Sequence, residues 1–223
     1  RQNIVSLSKK GMEYARNIEM QYVDVRAAMD EISKQSEHDL WEALNEWEYH
    51  LTQKSFFQRV SEAKKKRDSN QVVIREYRDD DKADFRNLNI AWISQFFEME
   101  EADYAALDAP NEYIINRGGH IFVASIEGKT VGVCALLKRE CNKYPYELAK
   151  MAVSQSARGK GAGFLLGKAV IEKARKLGAD KIYLESNPTL EPAINLYKKL
   201  GFKKVIGIQT PYKRCNIQME MKF

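Results

Sequence analysis

The sequence predicts a mixed α/β fold, a sheet flanked by helices, preceded by a segment that is helical throughout. Three observations carry this. Residues 10–66 contain no proline and a single glycine, Gly11, with apolar residues at helical spacing. Further on, two β-rich runs are separated by Glu127-Gly128-Lys129, a hairpin signal. In the last third, strand-like and helix-like stretches alternate.

In chain order, the spacing predicts two helices between Lys10 and Lys66. Ser36 followed by Asp39 reads as a capping box for the second, and Leu40, Leu44, Trp47 and Leu51 then fall on one face. That stripe, with Trp41, Phe56 and Phe57 nearby, either packs within this chain or forms a homodimer interface. Lys64-Lys65-Lys66-Arg67-Asp68-Ser69-Asn70 reads as a charged linker, either solvated or touching phosphate. The organisation is thus a helical segment 1–67, a linker 68–71 and an α/β domain 72–223. Within that domain strands are expected at Val72–Tyr77, Ile121–Ile126, Val131–Leu137, Leu148–Val153 and Lys181–Ser186. Helices are expected at Lys82–Phe97, Gly161–Leu177 and Leu190–Leu200, the last ended by Gly201.

A net charge of +5 with interspersed signs suits an anionic ligand but singles out neither nucleic acid nor membrane. Three cysteines without a CxxC pair and three scattered histidines lead us to expect a reduced, metal-free, cytoplasmic protein. No stretch approaches the roughly 18 apolar residues a bilayer span needs. The chain opens at Arg1 in what reads as the middle of an element, as a fragment would.

The most informative stretch is Glu147-Leu-Ala-Lys-Met-Ala-Val153, then Ser154-Gln-Ser-Ala-Arg158-Gly-Lys-Gly161-Ala-Gly163, then an amphipathic helix. A strand here runs through a glycine-rich turn into a helix N-terminus, where unpaired N–H groups and the helix dipole favour phosphate. Arg158 and Lys160 add positive charge. The spacing fits neither the Walker loop nor the dinucleotide fingerprint.

This Arg-x-x-Gly-x-Gly turn resembles the acetyl-CoA signature of the GNAT superfamily of N-acetyltransferases. Leu184-Glu-Ser-Asn187 and Ala193-Ile-Asn-Leu-Tyr197-Lys-Lys-Leu-Gly201-Phe202 resemble that superfamily's following segments. Gly118-Gly119-His120-Ile121-Phe122, Tyr146-Glu-Leu-Ala-Lys-Met151 and Pro211-Tyr212 look like a subgroup fused behind MarR-type transcription regulators. On that likeness Arg1–Gly11 resembles the last wing strand leading into MarR dimerisation helices. DNA would be bound only through an upstream winged helix that lies outside this chain.

The resemblance implies a mostly antiparallel central sheet flanked by helices, acetyl-CoA as co-substrate, and direct transfer of acetyl to an amine. It implies that Met151 and Val153 hold the pantetheine arm. Arg158, Gly159, Lys160, Gly161, Ala162 and Gly163 would hold the pyrophosphate, with Asn187 and Tyr197 also facing the cofactor. Tyr197 would protonate the departing thiolate, although its helix also allows a core tyrosine. Glu147 is the candidate base; a surface carboxylate at a strand end is the other reading. For the acceptor, Trp92, Phe96 and His120 are the candidates, each also open to a packing or structural role. A non-catalytic module that senses acetyl-CoA or a metabolite is the alternative to an enzyme.

Overall fold

In the computed structural model, which describes residues 6–141, 143–206 and 215–223, the Ser8 hydroxyl accepts from Gly11 N–H and so caps the first helix, α1 (Lys9–Gln35). The wing strand expected over Arg1–Gly11 falls partly outside the described residues, and its end, from Lys9, is helical. Helix α2 (Leu40–Gln53) is capped by Asp39, whose carboxylate accepts from Trp41 and Glu42 N–H at 2.7 and 3.1 Å. Ser36, expected to cap it, closes α1 instead, its hydroxyl donating to the Ile32 carbonyl. A third helix, α3 (Phe56–Ser69), replaces the second half of an expected long one. The break is a reciprocal pair of bonds: Ser55 N–H to the Gln58 side chain at 3.1 Å, and Gln58 N–H to the Ser55 hydroxyl at 3.2 Å. The charged run expected as a linker continues α3, because Lys and Arg are good helix formers.

Contacts divide the chain into two units, residues 1–61 and 62–223. In the first, Leu40, Leu44, Trp47, Phe56 and Phe57 are exposed, and α2 and α3 bury no side chain.

The second unit is a seven-stranded sheet, β1 (Val72–Glu76), β2 (His120–Ile126), β3 (Lys129–Lys138), β4 (Tyr146–Val153), β5 (Lys181–Ser186), β6 (Lys203–Val205) and β7 (Ile217–Lys222), ordered β1-β2-β3-β4-β5-β7-β6. Every neighbouring pair is antiparallel except β4 with β5. The hairpin expected at Glu127-Gly128 is present, with Ile126 opposite Lys129. Helices α4 (Lys82–Ile93) and α5 (Glu101–Asp108) cover one face, and α6 (Ala162–Lys176) and α7 (Glu191–Leu200) the other.

Alternation along β2 sorts the core between these faces. Ile121 and Val123 pack with Phe85 and Leu107 under α4 and α5, whereas Phe122 and Ala124 pack with Leu166 and Val170 of α6. Gly119 enters β2 so tightly that an added Cβ would lie 2.6 Å from the Leu136 carbonyl oxygen and 2.9 Å from Ile114. That contact explains why a side chain has no room there.

Candidate active site

Strand β4 changes phase halfway along. Opposite β3, Ala135 pairs with Ala149 and Val133 with Ala152, so β4 carries one residue more than its partner. The extra length is taken up around Lys150, whose φ of 49° is unusual for a residue with a side chain. Leu148 therefore faces α6 while Ala152, four residues on, faces α4. On its other edge β4 pairs with β5 at Glu147 and Leu148, opposite Tyr183 and Leu184. Beyond them β5 stays with β7, and the two strands part. The backbone from Lys150 to Val153 thus borders a gap where a ligand can take up main-chain hydrogen bonds.

Below this gap lies a cleft lined by Trp92, Glu147, Lys150, Glu185, Asn187 and Tyr197, with the Met151, Asp103 and Cys215 side chains completing its wall. Glu147 stands on the α4 side of β4 and accepts from the Arg139 guanidinium at 2.5 Å. Burial, with the nearby Glu185, pushes its carboxyl up to about 7 against the pull of Arg139. A carboxyl held near neutrality suits proton transfer. Tyr197 is buried with its ring 6.1 Å from that of Phe202, and burial raises its phenol above the ordinary value. It therefore keeps its proton at neutral pH. Asn187 accepts from the Thr189 N–H and hydroxyl at 2.9 and 2.8 Å, which shapes the turn leading into α7.

Next to the gap, the glycine-rich turn leads into α6. Gly161, at φ 84°, caps the helix, and the Leu165 N–H is the donor bonded to its carbonyl. The N–H groups of Ala162, Gly163 and Phe164 precede that first intrahelical bond and point out of the helix end. A Cβ on Gly159 would meet nothing within 4 Å, so the turn is open on that side. One on Gly161 would lie 3.1 Å from the Ser69 Cβ. Lys160 is on this turn, and Arg158 donates to the Gln95 side chain at 3.2 Å. The turn suits a pyrophosphate: bare backbone donors, an open side at Gly159 and two cations.

The expected residues fall into two places. Glu147, Met151, Asn187, Tyr197 and Trp92 come together in the cleft, with Val153 and residues 158–163 at its continuation. Phe96 is exposed, its ring 6.0 Å from that of Trp92. His120 is not brought to the cleft. It lines a separate hollow with Glu76, Tyr77, Asp79, Asn111 and Asn116, and burial and Lys173 lower its pKa. Sequence reasoning missed Arg139, Lys150 and Glu185 as residues of the site. Lys150 and Asp103 form an ion pair of 2.7 Å with side-chain exposures of 6% and 0%. Pro211 and Tyr212 lie outside the described residues. Among the described residues no helix is long and apolar enough to cross a membrane, and no His, Cys, Asp and Glu group is placed to hold a metal.

Comparison with known proteins bears on the family and the fold. Residues 83–202 match the Acetyltransferase (GNAT) family. The N-acetylaspartate synthetase of Xenopus tropicalis is 36% identical over 98 residues, covering 44% of this chain and 36% of that protein. The uncharacterized N-acetyltransferase YjgM of Escherichia coli is 34% identical over 113 residues, covering 48% of this chain and 66% of that protein. The chain thus spans less than two thirds of the length of these curated relatives. Among solved structures, a GNAT acetyltransferase of Staphylococcus aureus superposes with a TM-score of 0.62 at 20% identity, covering 68% of this chain and 98% of that one. Another, yncA of Salmonella typhimurium, was solved with its cofactor acetyl-CoA; it gives 0.57 at 19% identity, covering 68% and 94%.

Proposed function

The chain belongs to the acetyltransferase (GNAT) family, and on that footing we propose that it transfers acetyl from acetyl-CoA to the nitrogen of an amine. The observation that carries the proposal is the meeting of Glu147, Tyr197 and Asn187 in one cleft, at the parting of β4 and β5 and beside the open turn of α6.

In this reading the pyrophosphate lies against residues 158–163, and the acyl-bearing arm runs along Met151 and Val153 toward the cleft. Glu147 takes a proton from the incoming ammonium, the freed amine attacks the thioester carbonyl, and the C–S bond breaks. Tyr197 gives its proton to the departing thiolate and regains one from the acylated nitrogen, so that the amide, the free thiol and a protonated Glu147 are left. Holding both reactants in one cleft supplies most of the acceleration, because it removes the entropy cost of their encounter. Asp103, Glu147 and Glu185 outnumber Lys150 in the lining, and Trp92 adds an aromatic wall, a setting that suits a cationic acceptor.

Calorimetric titration with acetyl-CoA, followed in the same cell by a panel of amines and detection of free thiol, tests this. We expect saturable binding and thiol release with at least one cationic amine. Binding with no release from any amine would favour a sensing module, and absence of binding would overturn the proposal.

For the N-terminal unit we carry the resemblance to a MarR-type regulator forward as part of the same proposal. The exposed stripe of Leu40, Leu44, Trp47 and Leu51 supports a homodimer through these helices, with DNA reached only through a winged helix upstream. We place the protein in the cytoplasm, the setting that three cysteines without a CxxC pair led us to expect.

A further inference from the structure

A buried carboxylate can accept a proton only if something keeps it ionised, and the surroundings of Glu147 pull in both directions. From the end of β3 comes Arg139 and from its own strand Lys150, both favouring the charge. Against it stands Glu185 on β5. The other ionisable groups around the cleft are Asp103 of α5, Tyr183 of β5, Tyr197 of α7 and Cys215 ahead of β7.

Arg139 is held in place more firmly than a surface arginine. Its N–H donates to the Pro145 carbonyl at 2.9 Å, closing the turn between β3 and β4. Its guanidinium lies 4.8 Å from the centre of the Tyr183 ring, against which the Tyr144 ring packs at 5.0 Å. Tyr144 is itself fixed, its hydroxyl donating to Glu220 on β7 at 2.8 Å. Tyr183 also donates to Glu185 at 3.0 Å, so one aromatic ring orients both the cation and the opposing carboxylate.

We propose that Arg139 is a positioning residue for acetyl transfer: docked on Tyr183, it holds the Glu147 carboxylate ionised and turned into the cleft, and Glu185 opposes it. The inference rests on Glu147 being the proton acceptor. It predicts opposite effects from two neutralising changes. Arg139→Gln removes an attraction and moves the Glu147 titration upward by about one to three pH units. Glu185→Gln removes a repulsion and moves it downward. Arg139→Lys, which keeps the charge, restores most of the Arg139→Gln change.

The test is a carbon-13 NMR titration of the side-chain carboxyls of the full chain, with Glu147 assigned by its loss in Glu147→Gln. Acetyl-CoA affinity in each variant serves as the check on folding. Opposite shifts in Arg139→Gln and Glu185→Gln, with rescue by lysine, are the expected result. An unmoved titration in Arg139→Gln overturns the inference. If that variant does not fold, Glu185→Gln decides alone: a downward shift supports the inference and any other outcome overturns it. The underlying reading fails separately, when Glu147→Gln retains full thiol release from acetyl-CoA and the amine panel.

Discussion

Tyr197 and Glu147 sit in the same cleft, and their environments push both toward holding a proton, to different ends. Burial raises the Tyr197 phenol, which keeps its proton at neutral pH as the proposed donor must; the Glu147 carboxyl, brought to about 7, is ionised in part there. Tyr197→Phe is expected to lower turnover by about a hundredfold, measured as thiol release, with calorimetric acetyl-CoA affinity nearly unchanged. Both residues were legible because each follows a recognisable local pattern, a strand before a glycine-rich turn and a helix ending in Leu200-Gly201-Phe202. Arg139, Lys150 and Glu185 were not. A charged residue in a sequence this rich in charge carries no mark of its partner. Arg139 meets Glu147 only because the β3–β4 turn folds back, and Lys150 reaches Asp103 from an element 47 residues away. His120 shows the converse, since its glycine neighbours reflect the crowded entry to β2 and not the cleft.

At the scale of the element, period and punctuation did most of the work. The five expected strands of the α/β unit and its three expected helices lie where alternation and helical spacing put them, though Lys82–Ile93 stops short of Phe97; α5, β6 and β7 were not expected. Two further features escaped. The break between α2 and α3 is made by Ser55 and Gln58, polar residues that also occur inside helices, so it has no glycine or proline to announce it. The extra residue in β4 hides because the strand sends apolar residues to both covered faces, Leu148 to one and Ala152 to the other, so its alternation has no single phase to read. Gly119 offers a packing test at this scale. Gly119→Ala would press a methyl against the Leu136 and Ile114 backbone, and we expect a loss of about 1–3 kcal/mol in urea unfolding.

For the whole molecule, the division into a helical segment 1–67, a linker 68–71 and an α/β domain 72–223 stays a proposal; contacts divide the chain after Ser61, inside α3. The apolar surface on the helical unit is its most conspicuous unsatisfied feature. If it is a dimer seam, Trp47→Glu places a carboxylate in it, and light scattering should report a monomer in place of a dimer. In the α/β unit the joint between its two half-sheets matters most. Glu147 with Tyr183 and Leu148 with Leu184 are the residue pairs by which β1–β4 join β5, β7 and β6. A molecule bonded to β4 in the gap beyond them supplies rungs that the protein leaves out. Its occupancy then counts toward folding, worth about 2.7 kcal/mol at a concentration one hundred times its dissociation constant. The acetyl donor should therefore protect the chain from proteolysis, and limited digestion with and without acetyl-CoA measures that protection.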